Sequence, residues 1–535
     1  MDKEIKKTKV LLEMRPALGE FAGIPQEVRL LMYGLRKINT FDIEGMLQSS
    51  NRFLAKGKRD QKLHGNSFSQ ARLFNRYSRV IISLSEKTSR TKIAFILKWL
   101  RHRLITILIH GKVYLGLGEV QLTHFDSQHF KDFTWRTLFA KTLPASDFEL
   151  VASVNHKICS IPWQTFHGVG LGFLNFNNKP KYPILNTKEF DVFISQTPYP
   201  GRVSKNTALV VRYHDAIPVL MPHTISDKSF HQASHFNALM SNVMSGAWFA
   251  CVSEFTRQQL IKIFPEAAER SITIHNMISS HYFFEESSHE HIPNIIRGYL
   301  QQGTKLTDDE LGTGAECFAT MGSQKLNYLL IVSTIEPRKN HLNLVAAWEL
   351  LKTEVDPDLK LLVVGAPGWD YAPLLTAMQP WIEQGSIYIL NSVPAYYLRL
   401  LYRHAAATVC PSICEGFDFS GVESMRCGGI TVASDIPVHR EVYGNAAEYF
   451  DPYAVSSLVN ALRKVLYQPN SSQIQESLRQ QGQIVSARYL PENILPKWES
   501  FIQCVKEGSL MGMNLPLRAS AQRVAAESVQ RQLKI

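Results

Sequence analysis

The sequence predicts an α/β protein made of two doubly wound, parallel-sheet (Rossmann-like) domains that face each other across a cleft. Three observations carry that expectation. The chain has 535 residues, more than one ordinary core accommodates, which points to two domains of about 200 residues or more. Short, wholly apolar runs alternate with longer helical patterns, as in strands buried on both faces and joined by crossover helices. Glycine and charged residues cluster just after several apolar runs, where open α/β sheets bind ligands.

Taken in order, Val10 to Met14 reads as the first strand. Gly19, Gly23 and Pro25 form a loop before a helix that starts near Gln26 and runs through Leu30, Leu31 and Leu35. Residues 50 to 180 are basic and show few clear strand signals. Punctuation returns with apolar strands at Phe190 to Ser195, Ala208 to Tyr213 and Trp248 to Val252, and a helix at Phe230 to Ser245. Ser253 is placed to cap a helix from Glu254 to Ile263, which Pro265 ends. From Glu285 to Lys325 the composition turns polar and reads as a linker or insertion. Beyond it come strands at Tyr328 to Ser333, Lys360 to Gly365, Ser386 to Leu390, Ala407 to Pro411 and Ile430 to Ala433. Helices at Leu342 to Leu351, Tyr371 to Gln384, Tyr396 to Ala405 and Gly421 to Arg426 lie between them. The expected organisation is therefore a first domain over 1–284, a linker over 285–325, a second domain over 326–485, and C-terminal helices over 486–535 that cross back to the first domain.

Apolar residues are 45% and charged residues 20% of the chain, the balance of a globular protein rather than a disordered one. The net charge of +11 favours an anionic partner. Its excess lies before residue 110, in Lys3, Lys6, Lys7 and Lys9, in Lys56 to Lys62, and in Lys87 to Arg103. That pattern fits a solvated basic face or one that meets an anionic membrane. Ile93 to Ile109 is interrupted by Lys98, Arg101, His102 and Arg103, so a spanning helix is not expected, although the segment can lie on a surface. Seven cysteines without a framework suggest a reducing compartment. The N-terminus lacks a signal-peptide pattern, so a cytoplasmic protein, peripheral on the inner membrane face, is expected. Basic and aromatic interleaving of nucleic-acid modules is missing, and nucleic acid is not an expected partner.

Three segments carry chemistry. Glu415-Gly-Phe-Asp-Phe-Ser-Gly-Val-Glu423 follows a strand and enters a helix. A helix start offers unpaired N–H groups and a positive dipole end to a phosphate. Glu423 can accept hydrogen bonds from ribose hydroxyls and Glu415 can reach a sugar; capping accounts for only one of these acids. Ser333-Thr-Ile-Glu-Pro-Arg338-Lys339-Asn340 sets two cations at a strand end, where they would stabilise charge building on a departing phosphate without a metal. Arg212-Tyr-His214-Asp215-Ala-Ile-Pro218 places His214 at a strand end, facing either a ligand or a backbone partner.

These residues resemble the family-four (group 1) retaining glycosyltransferases of the GT-B fold. The resemblance runs through Phe21 to Val28, His214-Asp215, Val252 to Phe255, Thr334 to Asn340, Val364 to Pro367, Pro411-Ser412, Glu415 to Glu423 and Ala433 to Pro437. It implies that Glu415 meets the donor sugar and Glu423 the ribose. Arg338 and Lys339 would clamp the diphosphate, His214 would lie near the transferred sugar, and the Ala22-Gly23 loop would close on the donor. Phe417, Asp418, Ser420 and Gly421 are expected in the donor loop, where Gly416-Phe-Asp-Phe-Ser420 departs from the family's Gly-Phe-Gly-Leu-Pro. The resemblance extends to bacterial mannosyltransferases of surface polysaccharide, through the His-Asp-x-Ile-Pro segment. It implies transfer of a hexose, mannose among the options, from a GDP- or UDP-linked donor to a glycan or lipid-linked acceptor, with retention and with neither metal nor cofactor. The alternatives are a nucleotide-sugar epimerase, which needs acid and base groups that do not stand out here, and a catalytically silent binder or membrane-associated scaffold.

Overall fold

A computed structural model describes residues 7–19, 22–58, 67–85, 92–175, 178–303 and 326–510. Lys3, Lys6, Phe21, Cys317 and much of the basic runs at 59–66 and 86–91 lie outside the described residues.

The first domain is an eight-stranded sheet of β1 (Thr8–Glu13), β2 (Phe41–Gln48), β3 (Thr123–Phe125), β4 (His156–Cys159), β5 (Val192–Ser195), β6 (Ala208–Tyr213), β7 (Trp248–Cys251) and β8 (Ser271–Thr273). Its order is β3-β4-β2-β1-β5-β6-β7-β8. All neighbours are parallel except β3, which pairs antiparallel with β4. The second domain is a six-stranded, wholly parallel sheet of β9 (Tyr328–Val332), β10 (Lys360–Val364), β11 (Ile387–Leu390), β12 (Ala407–Cys410), β13 (Thr431–Ser434) and β14 (Ala447–Phe450). Its order is β11-β10-β9-β12-β13-β14.

Strand order reverses between β1 and β5 in one sheet and between β9 and β12 in the other. These are the switch points at which α/β sheets open a crevice beyond the strand ends. The loops after β1, β9 and β12 carry Gly23, Arg338, Lys339 and Glu415, while His214 follows β6.

Both sheets are covered on both faces, as uninterrupted apolar strands require. Val10, Leu12, Val192 and Ile194 face one layer while Leu11, Phe193, Val211 and Phe249 face the other. Leu329, Leu361 and Val409 divide in the same way from Leu330, Leu362 and Leu390. The polar stretch that begins at Glu285 is not bare linker where it is described. The helix His291–Gly303 buries Ile292, Ile295 and Ile296, spaced to form one face, on the second sheet. The helix Pro491–Glu507 returns to the first domain, where Trp498, Phe501 and Ile502 are fully buried in its core.

Two buried arginines organise the first domain. Arg29 Nη2 donates to the carbonyls of Ala17 (2.9 Å) and Gly19 (2.7 Å), and its Nε to Leu138 (2.7 Å), so one side chain fixes the loop after β1. Arg212, at the end of β6, bonds Glu27 Oε1 (2.9 Å), the Ile274 carbonyl (2.6 Å) and Asn276 Oδ1 (2.6 Å), and lies 5.2 Å from the Trp498 ring centre. Burial pushes the Glu27 carboxyl up and the Arg212 guanidinium down, and each partner's charge opposes the shift. Removing one member leaves a buried charge uncompensated. Glu27→Ala and Arg212→Ala are each expected to cost about 3–5 kcal/mol in urea unfolding, and Glu27→Gln less because it keeps a hydrogen-bonding group.

Candidate functional site

The loop after β9 turns through the short helix Pro337–Lys339 into the helix His341–Glu354. Asn340 makes that junction in the left-handed region, at φ 58°, a conformation Asn tolerates. Its side-chain amide donates to the carbonyls of Pro411 (3.1 Å) and Pro452 (2.8 Å), which ties the loop to those after β12 and β14. Arg338 and Lys339 thereby face Glu415.

Arg338 Nη1 lies 3.1 Å from Glu415 Oε2 and its Nε 2.7 Å from Glu336 Oε1; Lys339 bonds Glu415 Oε1. Glu415 and Glu336 are buried. Burial alone would raise the Glu415 carboxyl, but Lys339 and Arg338 outweigh it and hold the group below the usual range. Burial raises Glu336, which the two cations only partly offset. Asp215, from the first domain, is raised by burial and drawn down by Arg338 across the cleft. Two cations and three carboxylates thus share one enclosure, and the cations are suited to a phosphate.

The second acid of the loop lies elsewhere in the cleft. Glu423, buried in the helix Phe419–Arg426, accepts a 2.6 Å hydrogen bond from Gln26 of the first domain and a 3.1 Å bond from the Tyr402 hydroxyl. Burial pushes its carboxyl up to about 7, with those hydrogen bonds offsetting part of the effect. Gly23 begins the helix that carries Gln26, and its Cα faces the Phe419 ring. His214 follows β6 with its Nε2 buried and unbonded, and burial holds its pKa down at about 3, so it is neutral. The His214 carbonyl packs on Gly416, where a Cβ would stand 1.8 Å from that oxygen.

Of the other loop residues, Asp418, Ser420 and Gly421 face their own domain. Phe417 is buried between Phe419 and Tyr489, with ring centres 5.3 and 5.2 Å away. Asp418, at φ 58°, caps the helix: its Oδ1 accepts from Ser420 N (3.1 Å) and Ser420 Oγ (2.6 Å). Its Oδ2 lies 3.3 Å from His439 Nε2. Burial would raise Asp418, but the His439 hydrogen bond and the Lys339 charge bring it well below the usual range. A Cβ on Gly421 would stand 2.3 Å from the Tyr443 ring. Asp418 and Ser420 thus satisfy each other, and Gly421 makes room for Tyr443. Sequence reading passed over Gln26, Tyr402, Glu336 and His439 as members of this network. Gln26 is 397 positions from Glu423, and no local pattern announces such a pair.

Residues 319–483 match the model of the family described as glycosyl transferases group 1. The second domain is a group 1 glycosyltransferase domain. Across a longer span the chain is 28% identical over 268 residues to the O-antigen chain mannosyltransferase B of Escherichia coli, covering 49% of this chain and 60% of that protein. It is 25% identical over 277 residues to the O-antigen chain mannosyltransferase RfbU of Salmonella typhimurium, covering 50% of this chain and 67% of that one. The chain thus spans about three fifths of the first of these relatives. Among solved structures it resembles the sucrose-phosphate synthase of Thermosynechococcus elongatus, with a TM-score of 0.51 and 14% identity, covering 94% of this chain and 100% of that one. The shared architecture is GT-B.

In this glycosyltransferase domain Glu423 binds its proton more tightly folded than unfolded, because its pKa rises from 4.5 to about 7. Its contribution to stability is therefore present below pH 4.5 and is lost as pH rises through 7, by up to about 3 kcal/mol. Glu423→Gln should remove that slope: its urea midpoint matches the parent's near pH 4.5 and exceeds it at pH 8. Gly416→Ala should force the domains apart at His214, seen as a larger radius of gyration in solution scattering and a loss of about 1–3 kcal/mol.

Proposed function

We propose that this chain is a metal-independent, retaining glycosyltransferase that moves a hexose, mannose first among the options, from a nucleotide diphosphate donor to a glycan or lipid-linked acceptor. The observation that carries the reading is the pairing of Arg338 and Lys339 with Glu415 at the β9/β12 switch point. Two fixed cations answer the charge that grows on the β-phosphate as the glycosidic bond breaks, the role a divalent ion fills in other active sites. Without donor, Glu415 is their counter-ion. When the diphosphate takes its place, Glu415 is released to accept hydrogen bonds from the sugar, and Glu423 exchanges Gln26 for the ribose hydroxyls. Neutral His214, with a buried nitrogen that has no partner, supplies a hydrogen bond to the sugar.

Mannose is favoured by the names of the curated relatives, and a GDP- or UDP-linked donor fits the same clamp equally well. Retention rests on the resemblance to the family-four enzymes. The described cysteines are all free, in keeping with a reducing, cytoplasmic setting.

The reading is tested by thermal stabilisation across GDP- and UDP-linked sugars, with and without chelator, followed by sugar transfer or donor hydrolysis with any that binds. A chelator-insensitive shift is expected from one donor class. Arg338→Ala should lose most of that shift and lower turnover by about 10²–10³. Glu415→Ala should abolish turnover yet bind donor at least as well, since it leaves two cations without a counter-ion. No shift with any sugar nucleotide, or full activity in either variant, overturns the assignment.

A further inference from the structure

The helix Lys92–Tyr114 is apolar on two opposite sides, and among the described residues only one of them meets protein. Its inner side holds Ile105, Ile109 and Val113, half-buried, with the His110 ring stacked 4.4 Å from that of Phe173. Its outer side presents Leu97, Leu104, Ile107 and Leu108, each 62–64% exposed, together with Ile96 and Leu100. At 3.6 residues per turn these six fall on one face. Trp99 and Tyr114 are exposed beside it, and the chain continues through exposed Leu115 and Leu117. An apolar face of this length left in water marks an interaction surface.

Charge identifies what covers it. The helix contains Lys92, Lys98, Arg101, Arg103 and Lys112 and not one Asp or Glu. A second copy packed on this face would bring the exposed Arg101, Arg103 and Lys112 against their own counterparts. An anionic lipid surface would accept the apolar face and neutralise the rim, with Trp99 and Tyr114 at the depth such rings prefer. No helix among the described residues is long and apolar enough to cross a membrane. We propose that Lys92–Tyr114 is an interfacial helix that seats the first domain on an anionic membrane, lying in the plane of its headgroups.

The fold puts this surface beside the cleft. The inner side of the helix packs on the end of Trp163–Gly172, a helix about 15 Å long. At its other end the Arg15 guanidinium lies 4.2 Å from the Trp163 ring centre. Arg15 lines a pocket of about 450 Å³ with Gly19, Pro25, Ser49, Asn51 and Arg52, at the ends of β1 and β2. A lipid-linked acceptor held in the membrane would have its headgroup within reach of that pocket.

The seating itself does not depend on the donor reading and is measured without sugar nucleotide. The full chain is sedimented with vesicles of phosphatidylcholine alone and of phosphatidylcholine mixed equally with phosphatidylglycerol. Binding is expected to the mixed vesicles and to weaken with salt. Arg101→Ala with Arg103→Ala should weaken it about 25-fold. Leu97→Glu, Leu104→Glu and Leu108→Glu together should abolish it while leaving the thermal midpoint and donor-induced shift of the free protein unchanged, because all three side chains stand in solvent. Equal binding to both vesicles, vesicle binding that survives the triple change, or a parent dimer that the triple change dissolves in sedimentation velocity would each overturn the proposal.

Discussion

The position of the first domain's cleft-facing helix depends on one buried ion pair. Arg212 and Glu27 are almost fully enclosed, and a charge there is tolerable because each has the other and Arg212 has two further acceptors at 2.6 Å. Those acceptors come from the segment that leaves β8, and Trp498 of the returning helix covers the guanidinium. Three parts of the chain distant in sequence thus converge on one side chain. Glu27 follows Gln26 directly, so the two point about 100° apart on their helix. Fixing Glu27 inward fixes Gln26 outward, toward Glu423.

The opposite wall is held by a different balance. Arg338 and Lys339 are held by the carboxylates of Glu415 and Glu336, so ion pairs orient both cations. For the proposed reaction, such preorganisation favours electrostatic stabilisation of a leaving group, since little rearrangement is needed as charge develops. Asp418 has an analogous place one loop further on. Its carboxylate is consumed by Ser420, His439 and the helix start, so it shapes the turn on which Glu415 and Glu423 sit. The departure at Gly416-Phe-Asp-Phe-Ser420 thereby forms an internally satisfied turn.

The sequence makes the second sheet largely legible because its strands are short, uninterrupted apolar runs with charged loops behind them. β6 and the Ser253-capped helix Glu254–Ile263 fall where the residues place them, with Ser253 Oγ accepting from Thr256 N. β2 is hidden by Asp42, Glu44 and Gly45, which break its apolar pattern. β14 is four residues long and carries Glu448. In the site, Arg338, Lys339 and Glu415 announce themselves because each directly follows a strand. Gln26, Tyr402 and His439 do not, since their roles arise from contacts that only the folded chain creates. The capping of the Phe419–Arg426 helix is instructive: an acid in that loop does cap it, but it is Asp418, whose left-handed backbone a glycine pattern would have suggested and an Asp can also adopt.

Contacts between the domains sort by chemistry and by place. Where the chain crosses, Ile278 N donates to the Tyr489 carbonyl (3.0 Å), and Val252, Ile278, Phe417 and Tyr489 share one apolar cluster. Away from the crossings several contacts are polar. Glu441 accepts from the N–H groups of Glu254 (2.6 Å) and Phe255 (2.9 Å), capping a first-domain helix with a second-domain acid. Trp369 Nε1 donates to the Thr224 carbonyl (2.8 Å), and Gln26 to Glu423. Apolar surface loses free energy continuously as it is exposed, whereas a hydrogen bond at a cleft mouth is exchanged for one with water at small net cost. A rotation that keeps the Phe417 cluster packed and releases the polar contacts is therefore the least costly way to open the cleft. It would separate Gln26 from Glu423 and His214 from Gly416 in one movement.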